Sequence, residues 1–506
     1  MNNKINDLIK RRGFIWQSFE IYGGVSGFVD FGPIGLKILK KIENKWREFF
    51  INRHDFIYEI STPLVMPEIV FEASGHLKHF TDVIVTCKNC GRKFRVDNII
   101  EKEDVDRWDE LKIENYIRDN KITCPNCGGE FDKPSKFNLL MKTNISPYAS
   151  DIGYLRPEAA QGIFINFKKV YELTGKKLPI GIVQIGKVDR NEISPRKGLY
   201  RMREFTIIDL EIFYDYKNPK CKYIDEILDK KIRILDINAR AKGVKTPYEE
   251  SIHKLISNGI FKNEWIAYFM YLAQEFMQEL GVPYQNQYFL EKFPEERAHY
   301  SSQTFDQMIK VSEDTWIEVS GHAFRTDYDL KNHSIKSGVS LTAERIEGNK
   351  LIERFYPYVV EPSFGLERIF LCVLENCMQE YKSRIILKLP YEIAPYSAVI
   401  APLVNKDHIV KYAHSLYREL KEEGFDVVFD DTEYIGKIYA KYDEIGVPFC
   451  ITIDYQSIND DTLTVRNRDD WRQIRIPRKL LKETLMKLLR KQIKFEEAGV
   501  LLSRSS

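Results

Sequence analysis

The sequence lacks the segments that would place it in a membrane or send it out of the cell. No window approaches the ~18 consecutive apolar residues that a membrane-spanning helix needs, in a chain with 43% hydrophobic and 30% charged residues. The opening stretch MNNKINDLIKRRGF contains no apolar signal segment. These absences predict a globular cytoplasmic protein without a membrane partner.

An excess of charge of one sign is also absent, because the formal net charge is only +2 over 506 residues. Any surface for nucleic acid must therefore be a local patch. The nucleotide-binding patterns GxxxxGK[ST] and GxGxxG do not occur, so the P-loop and Rossmann modes of binding are excluded. There is no internal repeat, and the length predicts about three domains.

Cysteines are few, but half of them are paired. Of 8 cysteines, four form the units CKNC (Cys87, Cys90) and CPNC (Cys124, Cys127). Two-residue spacing lets both thiolates of a unit reach one ion, and two units complete a tetrahedral zinc site. Four protein ligands leave no open position, so the predicted Zn²⁺ is structural. The remaining cysteines lie in mostly apolar stretches, which is typical of a reducing compartment.

Changes in hydrophobic pattern divide the chain into six parts. The pattern predicts an N-terminal part at 1–85, a polar zinc-binding insert at 86–135, strands at 136–219, a helical insertion at 220–298, strands and a helix at 299–388, and a separate domain at 389–506. In the last part, short apolar strands alternate with helices, which is typical of a small α/β domain.

The stretch DRNEISPRKGLYRMREF, residues 189–205, gathers four arginines and one lysine. Several converging guanidiniums indicate a polyanion such as a triphosphate. Glu192 adds an acceptor for an amine, and Phe205 offers a flat face for a base, so ATP is the first candidate ligand. The alternative is a solvated hairpin tip with surface charge pairs. A second charged segment, EPSFGLER, disfavours that alternative because it places Arg368 near the start of an apolar helix.

These segments carry a resemblance to a known family. RNEISPRKGLYRMREF resembles motif 2 of the class II aminoacyl-tRNA synthetases, GLER resembles the end of motif 3, and motif 1 is expected to end at Pro67. IYGGVSGFVDFGPIG, SGH, LRPEAAQGIFINF, AHY, YDL and EPSFGLER resemble, more narrowly, the homodimeric glycyl-tRNA synthetases of archaea and eukaryotes. The similarity runs over nearly the whole chain.

The resemblance implies both a fold and an activity. The expected fold is an α+β catalytic domain with a mixed, mainly antiparallel sheet, a zinc-ribbon-like insert and a C-terminal α/β anticodon-binding domain. The expected activity joins glycine and ATP to glycyl-adenylate, with Mg²⁺, and transfers glycine to the 3′ end of tRNA(Gly). A homodimer is also implied.

The resemblance further assigns site residues. Arg190 would hold the α-phosphate, Arg201 the outer phosphates, and Glu318 would help to bind Mg²⁺, while Phe205 and Arg368 would enclose the adenine. The ATP-binding set is Arg190, Asn191, Glu192, Arg201, Met202, Phe205, Glu318, Val319, Gly365 and Arg368, with Arg190 and Arg368 catalytic. The glycine-binding set is Arg95, Glu158, Asp209, Arg325, Glu361 and Ser363, with Arg325 facing the glycine carboxylate.

Two departures from the family pattern concern this site. Asp189 stands where the family usually has phenylalanine, and Asp209 stands where it usually has glutamate. Three alternatives stay open: a synthetase paralogue without catalysis, a zinc-ribbon nucleic-acid-binding protein, and a class II synthetase for serine, threonine or proline. Arg190, Arg201 and Arg368 of motifs 2 and 3 are all present, which favours an enzyme.

A basic segment lies near the C-terminus. Residues 466–494 contain 11 Lys or Arg against 3 Asp or Glu. Such a surplus can bind a phosphate backbone, and the alternative is a solvated helix face. Its position in the domain that follows motif 3 favours tRNA binding over a solvated helix face.

Overall fold

A computed structural model describes residues 3–102, 105, 108–148, 150–193, 195, 198–313, 315–348, 350–381 and 384–502. Ser194, Arg196 and Lys197 of the arginine-rich stretch lie outside the described residues.

The helices and strands follow one another along the chain in three groups. Residues 3–155 contain α1 (Asn3–Arg11), β1 (Ile15–Gln17), β2 (Val29–Phe31), α2 (Pro33–Trp46), β3 (Ile57–Glu59), β4 (Val65–Pro67), α3 (Glu68–Ala73), α4 (His76–His79), β5 (Thr81–Thr86), β6 (Lys93–Arg95), α5 (Glu110–Asp119), β7 (Ser135–Asn138), β8 (Met141–Asn144) and β9 (Ile152–Leu155). Residues 160–387 contain α6 (Ala160–Leu173), β10 (Ile180–Asp189), β11 (Glu204–Tyr214), β12 (Lys231–Leu235), α7 (Ile237–Ala241), β13 (Tyr248–Ser251), α8 (Ile252–Ser257), α9 (Glu264–Glu279), β14 (Gln287–Glu291), β15 (Gln303–Ser312), β16 (Thr315–Thr326), α10 (Tyr328–Ser337), β17 (Ala343–Glu347), β18 (Lys350–Phe355), β19 (Tyr358–Gly365), α11 (Leu366–Cys377), β20 (Met378–Tyr381) and β21 (Arg384–Leu387). Residues 398–501 contain β22 (Ala398–Pro402), α12 (Asp407–Glu422), β23 (Val427–Phe429), α13 (Ile435–Glu444), β24 (Phe449–Ile453), α14 (Tyr455–Asp460), β25 (Thr462–Asn467), β26 (Gln473–Pro477), α15 (Arg478–Leu489) and β27 (Val500–Leu501).

A nine-stranded sheet forms the centre of the molecule, in the order β13-β12-β14-β15-β16-β19-β11-β10-β3. Its pairs are antiparallel except β12 with β14 and β10 with β3, which confirms the mixed, mainly antiparallel sheet. Helices α9 and α11 pack on one face and α6 on the other. Both faces are thus covered, and a pocket lies where β15, β16, β19 and β11 run side by side.

The prediction of a helical insertion at 220–298 is wrong in part, because this segment extends the central sheet. It supplies β12, β13 and β14 at one edge. The apolar pattern is dominated by α9, in which 12 of 16 residues are buried, and a helix covered on all sides is apolar all round. The short strands beside it are too brief to stand out by alternation alone.

The insert with the cysteine pairs has its own small core. Its sheet has the order β6-β5-β7 and begins at Thr81, before the predicted boundary at 86. Val85, Phe94, Val96 and Ile113 form the centre of this core. The insert therefore folds around apolar contacts as well as around its cysteines.

The C-terminal domain is a separate six-stranded sheet with its own core, in the order β23-β22-β24-β25-β26-β27. Strands β22, β23 and β24 are parallel and the others antiparallel. Helices α12 and α15 contribute apolar residues to the core. This architecture confirms the predicted α/β domain.

Much of the basic surplus at 466–494 is already paired within the protein. Arg466 forms two hydrogen bonds of 2.8 and 2.9 Å with buried Asp443, and Arg468 donates to the backbone carbonyls of Gly446 and Leu389. Arg475, Arg478 and Lys482 face Asp454, Glu419 and Glu423. The surplus seen in the sequence is therefore not an equally strong surface charge. Among the described helices, none is long and apolar enough to cross a membrane.

Candidate active site

One cavity of about 240 Å³ brings together most of the predicted site residues. Its walls include nine residues predicted for ATP (Arg190, Glu192, Arg201, Met202, Phe205, Glu318, Val319, Gly365 and Arg368) and four predicted for glycine (Glu158, Asp209, Glu361 and Ser363). Arginines and carboxylates both line the cavity, so that it offers partners to a ligand with both a polyanion and a cation.

Arg190 is held in place before any ligand arrives. It follows directly after the end of β10, and its Nε donates to the carbonyl of Pro157 at 3.1 Å. Its guanidinium lies 5.1 Å from the ring centre of Phe205. Within the described part of the chain, no hydrogen bond to its two Nη atoms is found, so these donors are free for an anion in the cavity.

Glu192 and Arg368 line the same cavity, and each suits a different feature of a nucleotide. The Oε2 atom of Glu192 is buried without a hydrogen-bond donor among the described residues, which suits an exocyclic amine. Arg368 is fixed by its bonds to the carbonyls of Glu318 and Tyr200, at 3.0 and 3.1 Å. Its planar group is thus preorganised for stacking on a base.

Asp209 organises the acidic end of the cavity. Its Oδ2 accepts from the backbone N–H groups of Ala159 and Ala160 at 2.6 and 3.1 Å, where α6 begins, and its Oδ1 accepts from the Ser363 hydroxyl at 2.5 Å. A carboxylate is stabilised at a helix N-terminus. Both carboxylate oxygens of Asp209 therefore accept hydrogen bonds, one from Ser363 and the other from the start of α6.

Arg325 does not line the cavity, and its guanidinium contacts three acids. Its side chain is 0% exposed. It forms two hydrogen bonds with Asp329, at 2.8 and 3.0 Å, one of 2.7 Å with Glu361 and one of 3.4 Å with Glu158. Its guanidinium lies 3.6 Å from the ring centre of Tyr300, which lines the cavity. The predicted contact of Arg325 with the glycine carboxylate stays a prediction, while its contacts with the acids are direct.

Three further residues lie outside this cavity. Arg95, predicted for glycine, forms ion pairs with Asp82 and Asp97 in the insert, at 2.7 and 3.0 Å. Asn191, predicted for ATP, lines a neighbouring cavity of about 380 Å³. The unusual Asp189 is buried and does not line the cavity, and burial and then Glu204 raise its pKa to about 6.

The structure adds Lys292 and Asp306 to the cavity, which the sequence reasoning missed. Their ion pair measures 2.7 Å. Burial and then Glu318 raise the pKa of Asp306 to about 7, whereas Lys292 and Arg368 outweigh burial and lower the pKa of Glu318. The alternation of side chains along β15 and β16 could have indicated Asp306, since Asp306 and Gly321 are cross-strand neighbours. An ionised Glu318 beside the cavity suits a divalent cation.

The four paired cysteines form one cluster. Their Sγ atoms all lie within 4.8 Å of one another, with 3.5 Å between Cys87 and Cys127 and 3.8 Å between Cys90 and Cys124. Thiolates about 2.3 Å from a tetrahedral zinc ion are roughly 3.8 Å apart. The arrangement therefore fits one such ion without rearrangement.

Comparisons with known families agree with this architecture. Residues 148–236 match the tRNA synthetase class II core domain (G, H, P, S and T), and residues 397–488 match the anticodon binding domain. A solved prolyl-tRNA synthetase from Cryptosporidium parvum, in complex with L-proline and AMP, has the same fold with a TM-score of 0.58 at 15% identity, over 96% of this chain and 74% of its own. Fold and cavity define a class II aminoacyl-tRNA synthetase.

Individual relatives narrow the assignment. The glycine–tRNA ligase of Aeropyrum pernix is 40% identical over 98% of this chain and 98% of its own length. Those of Pyrococcus abyssi and Methanocaldococcus jannaschii are 39% and 38% identical, each over 94% of this chain and over 97% and 96% of their own lengths. The chain belongs to the glycine–tRNA ligase family.

Proposed function

We propose that this chain joins glycine to ATP as glycyl-adenylate and then transfers glycine to the 3′ end of tRNA(Gly). The observation that carries the proposal is the single cavity that Arg190 and Arg368 line together with Glu158 and Glu361. The first pair suits the triphosphate and the base, and the acids suit the glycine ammonium. The binding roles assigned to individual residues belong to the same proposal.

The chemistry requires positioning and fixed charge rather than a covalent enzyme intermediate. The glycine carboxylate attacks the α-phosphate, and pyrophosphate leaves. Arg190 can stabilise the negative charge that develops on the α-phosphate during this attack. Glu318 is proposed to bind Mg²⁺, which would neutralise the phosphate oxygens when it is bound with ATP.

The acidic end of the cavity contains small residues as well as acids. Gly321 and Ala323 line the cavity beside Ser363 and Glu361 on the neighbouring strand. Among the described residues, a Cβ added at Gly321 would have one neighbour within 4 Å, Asp306 at 3.9 Å, so the cavity is open at this glycine and the glycine does not itself exclude a substrate side chain. Recognition of glycine is proposed to be ionic, through its ammonium and carboxylate, and rejection of larger amino acids is proposed to be steric.

We expect ATP–pyrophosphate exchange that depends on glycine. Alanine, serine, threonine and proline, each supplied alone at the same concentration, should give no exchange above the background without amino acid. The measurement is incorporation of labelled pyrophosphate into ATP in the presence of Mg²⁺. Exchange that responds equally to alanine or serine, or to no amino acid at all, would contradict the proposal and favour one of the alternatives.

The cysteine cluster is proposed to hold one structural Zn²⁺ per chain. We expect metal analysis of the purified protein to find one equivalent of zinc, and the double variant Cys87→Ser/Cys124→Ser to find none. The variant should also lose the folded insert, because metal binding and folding are linked at such sites. Cys221→Ala, at a buried cysteine outside the cluster, is the matched control and should keep its zinc. Zinc that is absent from the wild type, or unchanged in the double variant, would contradict the assignment.

Three further properties are proposed. The C-terminal domain is proposed to bind tRNA, through its match to anticodon-binding domains. A homodimer is supported by large apolar side chains exposed between β1 and β2, among them Ile21 and Tyr22, which are 87% and 84% exposed. The molecular mass in solution distinguishes one chain from two. The cytoplasmic location remains a prediction that rests on the reduced cysteines.

A further inference from the structure

The buried strand β11 contains a carboxyl group that the proposed reaction does not yet use. Glu211 is 0% exposed, and neither of its side-chain oxygens has a hydrogen-bond donor among the described residues. It does not line the cavity. Since strand side chains alternate, Glu211 shares a face with Asp209, two residues before it. An acid buried in this way is costly unless its charge is removed or paired.

The sheet register places Glu211 beside Glu361. Strands β11 and β19 pair Asp209 with Ser363 and Ile212 with Val360, so the position opposite Glu211 is Glu361. Cross-strand neighbours on one face have Cβ atoms about 4.5–5.5 Å apart. Two carboxyl groups at this separation do not both ionise readily in a buried site.

Counting donors identifies which acid of the cluster holds the proton. Asp209 accepts three hydrogen bonds, Asp329 is held by Arg325 and Gln161, Glu158 accepts from Gln161 and Tyr300, and Glu361 accepts from Arg325. Glu211 alone in this cluster accepts none. Donors to a carboxylate favour its ionised form, and their absence favours the neutral one.

We propose that Glu211 is a positioning residue of the glycine pocket, a neutral carboxylic acid whose O–H donates to the carboxylate of Glu361. The pair shares one proton and one negative charge, so that Glu361 stays oriented and anionic toward the cavity. This proposal rests on the proposed function, since the ligand that Glu361 awaits is the glycine ammonium.

The electrostatic surroundings agree with this geometry. Burial, followed by Glu361, Asp209 and Asp329, raises the pKa of Glu211 well above its usual value, and Arg325 opposes them. Burial also raises the pKa of Glu361, to about 8, so both carboxyl groups of the pair favour a proton, and the bond from Arg325 is what favours the negative charge on Glu361. Arg156 is a further cation near this cluster. It interacts electrostatically with Asp209, and it donates hydrogen bonds to the backbone carbonyls of Lys187 and Thr62.

Two substitutions test the proposal. Glu211→Gln keeps the shape and supplies an N–H in place of the O–H, whereas Glu211→Leu removes the donor. In pyrophosphate exchange at neutral pH we expect a glycine KM within about twofold of wild type for E211Q. For E211L we expect a KM about tenfold higher with kcat little changed, as for one lost hydrogen bond. The glycine KM of the wild type should rise toward alkaline pH as Glu211 ionises, and E211Q should lack that part of the rise.

An infrared difference spectrum reads the proton directly and needs no activity. Wild type minus E211Q should contain the carbonyl band of a protonated carboxyl group. The control Asp215→Asn removes a carboxylate that is paired with Arg345 and whose pKa is lowered, and should show only ionised bands. A wild type without glycine-dependent exchange would contradict the proposed function. The infrared spectrum would still show whether Glu211 is protonated, so the two proposals can fail separately.

Two outcomes overturn the inference. One is an E211Q difference spectrum that shows the loss of an ionised carboxylate. The other is E211Q as impaired as E211L, which would mean that the negative charge itself is required. If E211L does not fold, the infrared spectrum and the pH profile of E211Q decide alone.

Discussion

Arg190→Gln is expected to slow the formation of glycyl-adenylate by about 10²–10³-fold, the usual cost of losing one preorganised donor in a transition state. The guanidinium is held by its bond to Pro157 and by Phe205, it lines the cavity, and no described residue forms a hydrogen bond with its Nη atoms. Only an interaction that strengthens as the α-phosphate becomes pentacoordinate raises the chemical rate. Single-turnover rates at saturating ATP and glycine measure this effect.

Arg201→Gln provides the matched comparison, because Arg201 lines the same cavity and is proposed to bind the outer phosphates. It should mainly raise the ATP concentration required and leave the saturated rate closer to that of the wild type. If Arg190→Gln keeps the wild-type rate and only weakens ATP binding, then Arg190 is a binding residue and its catalytic role is wrong.

The arginine-rich stretch and the cysteine pairs could be predicted because their chemistry is local in the sequence. A CxxC unit brings two ligands to one ion by itself, and a charged hairpin between two strands carries its own arginines to one place. The structure brings Arg190, Arg201, Phe205 and Arg368 to a single cavity. The basic segment at 466–494 shows the limit of counting charges, because its partners Asp443, Asp454 and Glu419 come from distant positions.

The architecture of the acidic end could not be predicted, since it depends on which strands are neighbours. Asp209 meets the start of α6 only after this helix packs on β11, and Glu211 lies opposite Glu361 only after β11 and β19 are paired. One signal was present, namely the i, i+4 spacing of Arg325 and Asp329, which brings the two together where β16 ends and α10 begins. The edge strands of residues 220–298 were hidden for a different reason, because the buried α9 dominates the apolar pattern there.

Arg325→Met is expected to lower the free energy of unfolding of the catalytic domain by about 3–5 kcal/mol, because breaking a buried ion pair leaves uncompensated charge. The substitution removes the only cation in contact with Asp329 and Glu361 among the described residues. Urea unfolding at neutral pH, without glycine or ATP, measures this loss. The control Arg345→Met breaks a more exposed pair with Asp215, with side chains 17% and 21% exposed, and should cost no more than about 1 kcal/mol.

The pH dependence of this loss has a definite sign. Burial alone would raise the pKa of Glu158, but Arg325 outweighs it and holds that pKa well below the usual value. A depressed carboxyl pKa contributes stability above the unfolded-state value of about 4.3, and that contribution disappears as the pH falls through the folded-state value. The difference between Arg325→Met and the wild type should therefore shrink as the solution is made more acidic than about pH 4.3.

Neutralising a facing acid distinguishes the two roles considered for Arg325. If the guanidinium chiefly compensates the buried acids, the double variant Arg325→Met/Asp329→Asn should recover part of the lost stability, because one uncompensated charge has gone. If it chiefly binds the glycine carboxylate, Arg325→Met should raise the glycine KM while unfolding without ligand stays near the wild type. Asp329→Asn would then restore nothing. A stable Arg325→Met protein with impaired glycine binding would thus contradict the structural role and support direct contact with the substrate.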